Sequence, residues 1–259
     1  LIAFCFGGLL EALAGFGAPV AITATMILAL GVKPLKAAIT VLLANTAPVA
    51  FGAVAVPITT AGDVGGKDAH VIATIVGHQA PFLAMLVPLI LLVILDGMKG
   101  LKDAWLPALI IGVSFAIAQW VTAATPAYNL TDVVACIVSM GVAVVFLQFW
   151  KPRGVAGVRE RYGLPAQAEE KEALPAVRVW MALLPYVIVV AIFGVANLHA
   201  GLKAWLKSFV IKIDIQALSS RLVTADGKPV KDAVYNFAWM SNPGTLLIIS
   251  GLVVAVVYF

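Results

Sequence analysis

The sequence predicts an all-α fold, a polytopic transmembrane helix bundle with broken or re-entrant helices. Three observations predict it. The chain is 62% hydrophobic and only 12% charged over 259 residues, whereas soluble domains carry about a quarter charged residues. Its apolar runs approach the roughly 20 residues needed to cross a bilayer. Two of those runs are interrupted by proline and glycine. So much apolar surface cannot be hidden from water in a chain of this size. The runs do not alternate as barrel strands do, and an open sheet cannot sit in lipid.

The expected spans are residues 1–31 (long and broken), 35–57 (broken), 80–95, 104–123, 133–150, 179–197 and a run from Thr245. The first and last runs meet the chain ends without a charged flank, so an internal fragment of a longer protein is expected. Lys33 and Lys36 lie between one pair of runs, Lys99 and Lys102 two crossings later, and six basic residues in 151–178. Residues 124–131 hold none. Alternating crossings put the three basic segments on one side, which the positive-inside rule makes cytoplasmic.

Residues 1–150 therefore read as a membrane region, 151–178 as a solvated cytoplasmic linker, and 179–259 as a membrane helix followed by an interfacial or external segment at 200–242 and a truncated helix. In that segment Lys203, Trp205 and Lys207 suit an amphipathic interfacial helix. Residues 210–215 alternate like a strand, and Asp226-Gly227 offers a hairpin turn. The net charge of +4 comes without an aromatic-basic stripe, so no nucleic-acid partner is expected. Cys5 and Cys136 show no disulfide or metal-ligand spacing. No His-x-x-x-His, Cys-x-x-Cys or Gly-x-Ser-x-Gly occurs, so no enzyme motif or metal site is expected. A channel needs rings of charge or carbonyls.

The breaks carry the functional reading. The first reads Glu11-Ala12-Leu13-Ala14-Gly15-Phe16-Gly17-Ala18-Pro19-Val20-Ala21, and the second Ala44-Asn45-Thr46-Ala47-Pro48-Val49-Ala50-Phe51-Gly52. Proline frees a carbonyl one turn back. Irregular backbone at membrane depth is tolerated only against protein or a water-filled cavity. A plain proline kink accounts for one such break better than for two. In secondary transporters interrupted helices mark the binding site, with half-helix N-termini aimed at an anion. Of 13 acidic residues, Glu11 alone lies inside an apolar run, and Asp132 lies at a span entrance. A carboxylate in lipid costs several kcal/mol. That placement suits a group that takes up and gives back a proton, though a protonated Glu that only bonds a neighbouring helix is the plainer alternative. His78 and Gln79 open the span from residue 80, where a lone histidine is more often structural.

These motifs resemble a known family. Phe6-Gly7-Gly8-Leu9-Leu10-Glu11, followed by Gly15-Phe16-Gly17-Ala18-Pro19-Val20-Ala21-Ile22, looks like the lactate permease signature. Asn45-Thr46-Ala47-Pro48-Val49-Ala50-Phe51-Gly52-Ala53 with Pro57 resembles its next motif. Pro81-Phe82, Asp96-Gly97, Ser114-Phe115-Ala116 with Gln119, Leu130 with Asp132, and Pro243-Gly244-Thr245 follow in order. The resemblance implies a proton-coupled symporter for lactate or glycolate in a bacterial inner membrane. It implies no cofactor beyond protons and a full protein about twice as long. It also implies kinship with ion transporters built from inverted repeats with re-entrant hairpins. Where the family has Gly-Arg-Gln, this chain has Gly77-His78-Gln79. A guanidinium holds a carboxylate at any working pH, a histidine only when protonated.

The expected site is therefore Glu11 for the proton, with Gly15, Phe16, Gly17, Ala18, Pro19, Asn45, Thr46, Pro48, His78 and Gln79 around the substrate. N–H groups around residues 15–18 and near Thr46 would hold the carboxylate. A carrier of another organic anion, such as a dicarboxylate, would show the same broken helices.

Overall fold

In the first half of the chain, helices form wherever the apolar runs lie, and glycine and proline decide where they stop. The computed structural model describes residues 1–15, 17–150, 155–162, 175–214 and 234–258. They fall into two compact units, Leu1–Ala182 and Leu183–Phe259. Three helical runs are long and apolar enough to cross a membrane by length and composition: Ala69–Ala123, Tyr128–Phe149 and Ala176–Ala196.

The first unit opens with a π-helical turn, Ile2–Phe6, that continues into α1 (Gly7–Ala14). Gly15 then adopts φ 78, ψ −176, a conformation open in practice only to glycine. The next described helix, α2, is Gly17–Ala29. The expectation of one long broken span over residues 1–31 is corrected here, because the chain turns back on itself. A Cβ on Gly7 would lie 3.4 Å from the Thr23 methyl, whereas on a straight helix the two positions would be ~24 Å apart. Phe4 and Ile27, and likewise Ile2 and Leu30, line one shared cavity. The pair is a helical hairpin with its tip at Gly15. Each arm is ~20 Å long, shorter than the ~30 Å hydrocarbon core.

Helix α3 (Pro34–Ala44) packs on α2 and later on α6. Irregular turns follow, then a 3-10 turn at Ala53–Ala55, then α4 (Val56–Gly65). Gly52 (φ 55, ψ −152), Val54 (φ 49) and Ala55 (φ 56) all lie at positive φ. Two consecutive non-glycine residues there store strain that the packing around them must hold. That packing is a cluster of Phe51, Ala55, Ile58, Ala73 and Ala123.

Helix α5 (Ala69–Ala84) leads through one turn into α6 (Val87–Ala123), which kinks at Asp96, Gly97 and Ala104. The span expected at 80–95 thus begins near Ala69, and the loop expected after it is mostly helical. The polar residues before Ala80 are the reason for the earlier start: the Asp68 carboxylate caps the His70 N–H, the Thr74 hydroxyl donates to His70 O, and His78 Nδ1 bonds Thr74 O. With their polar groups bonded locally, these residues do not stop the helix. The late part of α6 runs back along α5. A Cβ on Gly77 would lie 2.2 Å from that of Ala123, and one on Gly112 2.2 Å from Met85 O. Helix α7 (Thr131–Phe149) follows a 3-10 turn at Tyr128–Leu130 and packs on α6 and α1.

The Leu95 carbonyl lies directly before the kink at Asp96. Lys36 Nζ (3.0 Å) and Tyr162 Oη (2.9 Å) both donate to it. Tyr162 directly follows α8 (Val155–Arg161), which lies inside the expected linker. One carbonyl thus gathers the three basic segments at one end of the unit. At the other end, His70 Nε2 meets Ala124 O (3.2 Å).

The second unit holds most of α9 (Ala176–Leu198), α10 (Ala200–Ser208), two strands and α11 (Pro243–Tyr258). Strand β1 (Ile211–Asp214) pairs antiparallel with β2 (Val234–Phe237), Ile211 opposite Phe237. The alternation at 210–215 is therefore a strand, while Asp226-Gly227 lies outside the described residues. Trp205 on α10 meets Phe209, which meets Trp239. Burial holds the Lys203 ammonium below its usual pKa, and Lys207 adds to the effect.

Candidate functional site

Small residues on α1 let three elements close around it. A Cβ on Gly8 would lie 2.9 Å from Cys136 Sγ on α7 and 3.8 Å from the Pro48 ring in the second break. One on Gly7 would lie 3.8 Å from Asn45 Oδ1, and one on Gly15 would lie 3.9 Å from the Ala53 methyl. The two interrupted segments, far apart in sequence, thus lie against each other along the whole of α1.

The α1–α7 contact has an antiparallel register. Ser139 Oγ donates to Cys5 Sγ at 3.4 Å, and Gly8 lies against Cys136. One further turn along each helix brings Glu11 opposite Asp132. The Glu11 carboxyl bears electrostatically on Asp132, and both bear on the Cys136 thiol of α7. Glu11 is 2% exposed and Asp132 2%, so neither charge has water to screen it.

Asp132 lies within the first turn of α7, at the expected span entrance, but its burial was not foreseen. In the structure Asn129, Thr131 and Asp132 are all buried, and Gln119 Nε2 on α6 donates to Asp132 Oδ1 at 2.8 Å. Asn129 and Thr131 beside it were the available signal, since a solvated loop has no need to bury three polar residues within four positions.

The polar atoms of this cluster are under-used. Among the described residues, Glu11 Oε2, Asp132 Oδ2, Gln119 Oε1, Thr40 Oγ1 and both amide atoms of Asn45 are buried with no hydrogen-bond partner. A buried polar atom left unpaired costs about 1–3 kcal/mol, so a run of them marks a place built to receive something polar.

The other expected residues divide. Pro19 and Pro48 are fully buried, and Thr23 Oγ1 donates to the Pro19 carbonyl (2.7 Å). Gly17 and Ala18 open α2, where the first backbone N–H groups have no helical acceptor. Phe16 lies outside the described residues. Thr46 does not fit its expected role. Its N–H bonds Leu43 O (3.1 Å), its hydroxyl bonds the same carbonyl (2.7 Å), and the Asn45 N–H bonds Val41 O (3.1 Å). These groups finish α3 and cannot also hold an anion.

His78 and Gln79 are likewise not brought to the cluster. Both are exposed on α5, with the His78 ring against Trp120 at 5.0 Å. Successive helical residues are turned by about 100°, and here the inward position belongs to Gly77. An apolar cavity of ≈ 420 Å³ opens toward the basic end, lined by Ile2, Phe4, Ile27, Leu91 and Ile111 among others, with Thr40 as a polar group in its wall. No group of three or more His, Cys, Asp or Glu suited to a metal ion occurs among the described residues.

A family model described as L-lactate permease matches residues 1–259. L-lactate permease from Bacillus subtilis (strain 168) is 36% identical over 97% of the chain and 49% of its own length. Glycolate permease GlcA from Escherichia coli (strain K12) is 38% identical over 98% of the chain and 48% of its own length. L-lactate permease from the same organism is 35% identical over 97% of the chain and 48% of its own length. The chain spans about half the length of these curated relatives. No solved structure matches it significantly.

Proposed function

The chain belongs to the L-lactate permease family, and on that premise we propose that it supplies part of a proton symporter for lactate or glycolate in a bacterial inner membrane. The observation that carries the reading is the position of Glu11, buried on α1 where the two interrupted segments meet. Membership supports the cargo, since the relatives are named for lactate and glycolate. The geometry supports the means.

In this reading the hairpin formed by α1 and α2 is re-entrant, because its arms are too short to cross. The N–H groups that open α2 at Gly17 and Ala18 face the substrate carboxylate, as helix N-termini favour anions. The Asn45 amide, with both its atoms unpaired, bonds the carboxylate or the 2-hydroxyl. Glu11 takes one proton as the anion loads, so that anion and proton cross together by alternating access. Protons are the coupling ion and no cofactor is required. His78 and Gln79 act, if at all, from the exposed face of α5.

The test uses the full-length protein in proteoliposomes. Counterflow of radiolabelled lactate, competed by a panel of acids, should be blocked by lactate and glycolate and spared by dicarboxylates. Competition by dicarboxylates alone contradicts the proposed cargo and favours the other organic-anion reading. Absence of any counterflow contradicts the carrier itself.

A further inference from the structure

Asp132 and Gln119 have no part in the symport scheme above, yet they are among the most deeply buried polar groups of the chain. Asp132 is 2% exposed and Gln119 0%. A charged or amide side chain placed so deep, with an oxygen on each left unpaired, is expensive to keep for structure alone.

The helix register supplies the purpose. Cys5 meets Ser139, Gly8 meets Cys136, and the next turn of each helix carries a carboxyl. Two carboxylates facing each other away from water cannot both stay ionised, and such pairs share a proton. The titratable groups facing Glu11 from the elements packed on α1 are Asp132 and Cys136 on α7 and Cys5 in the turn before α1. The sequences of α2 and of Ala53–Ala55 carry none, and Lys36 on α3 is held at the far end by Leu95 O. Asp132 has an amide donor in Gln119, while no hydrogen bond to Glu11 Oε2 exists among the described residues. One oxygen of each carboxyl is left unpaired, Glu11 Oε2 and Asp132 Oδ2, so each is open to a shared proton.

Building on the symport reading, we propose that Glu11 and Asp132 form one proton site: a carboxyl pair that keeps a single shared proton when empty and takes a second when the anion loads. The balance is simple. The empty pair carries one negative charge. The loaded pair is neutral beside one anionic substrate. The charge inside the protein is therefore the same on the outward and return passages, and each anion brings one proton.

The test compares Asp132→Asn with Glu11→Gln in the full-length protein, each scaled to the amount in the membrane. Asn keeps the shape of Asp132 and can still bond Gln119, so a structural role would leave the pH profile of uptake unchanged. The proposal expects Asp132→Asn to move the half-maximal pH upward by about one unit or more, since the loading proton then enters a lone carboxylate instead of a pair already bonded through a shared proton. A wild-type profile in that variant overturns the pair while leaving the Glu11 reading intact. Uphill uptake by Glu11→Gln overturns the parent reading instead. Should Asp132→Asn give no uptake to profile, infrared difference spectra of the wild-type protein across pH decide. Two stepwise changes of protonated carboxyl, one lost in Glu11→Gln, support the pair; a single step that vanishes in Glu11→Gln overturns it.

Discussion

Glu11 on α1 stands opposite Asp132 on α7, one turn beyond the Gly8–Cys136 contact that lets the two helices meet. The closeness depends on glycine. Any side chain at Gly8 would have to displace the Cys136 sulfur, and the helices would separate. The acid inside the apolar run is thereby kept both dry and beside the second break.

Asn45 tests whether the second break touches the cargo. Its amide is 1% exposed with both atoms unpaired. Asn45→Ala should raise the KM for lactate about tenfold, the equivalent of about 1.4 kcal/mol, with normal amounts of protein in the membrane. An unchanged KM would remove Asn45 from the binding site.

Gln119 is the sole hydrogen-bond donor to Asp132 among the described residues. Gln119→Leu removes it and leaves the carboxylate dry and unpaired, at a cost of about 1–3 kcal/mol. Thermal unfolding in detergent should move down accordingly, and Asp132→Asn introduced into the Gln119→Leu chain should recover part of the loss. Equal melting temperatures for Gln119→Leu and wild type would mean that the bond contributes little.

Gly77 is packed against Ala123, where a new Cβ would lie 2.2 Å from the existing one. Gly77→Ala should therefore destabilise by about 1–3 kcal/mol through overpacking. Ala123→Gly in the same chain should restore most of it. A double variant no more stable than Gly77→Ala would place the strain elsewhere.

Lys36 and Tyr162 both reach the Leu95 carbonyl, and His70 reaches Ala124 at the opposite end. With Cys5 and Cys136 buried, single cysteines can report sidedness. An impermeant thiol reagent should label Lys36→Cys from the cytoplasmic side and Thr125→Cys from the other. Labelling of both from one side would contradict the topology.

How much of this was legible beforehand follows from the range of each interaction. The breaks were legible because Gly15, Pro19, Pro48 and Gly52 act on their own backbone. Glu11 was legible because its neighbours in sequence are all apolar. The hairpin was not, since periodicity is blind to whether a chain bends or reverses; the closeness of Gly7 to Thr23 and of Phe4 to Ile27 decides it. The burial of Asp132 was not legible because it comes from α1 and α6, distant in sequence. His78 drew attention as an ionisable group near a span, yet the inward position of that turn belongs to Gly77, a residue without a side chain to notice.

The central claim is that the proton coupled to transport is held at Glu11. Glu11→Gln removes the titration and keeps the shape. Lactate accumulation in proteoliposomes under an imposed pH gradient measures it directly. The account predicts that this variant no longer concentrates lactate, while counterflow stays measurable above empty liposomes. Accumulation to the wild-type level would contradict it.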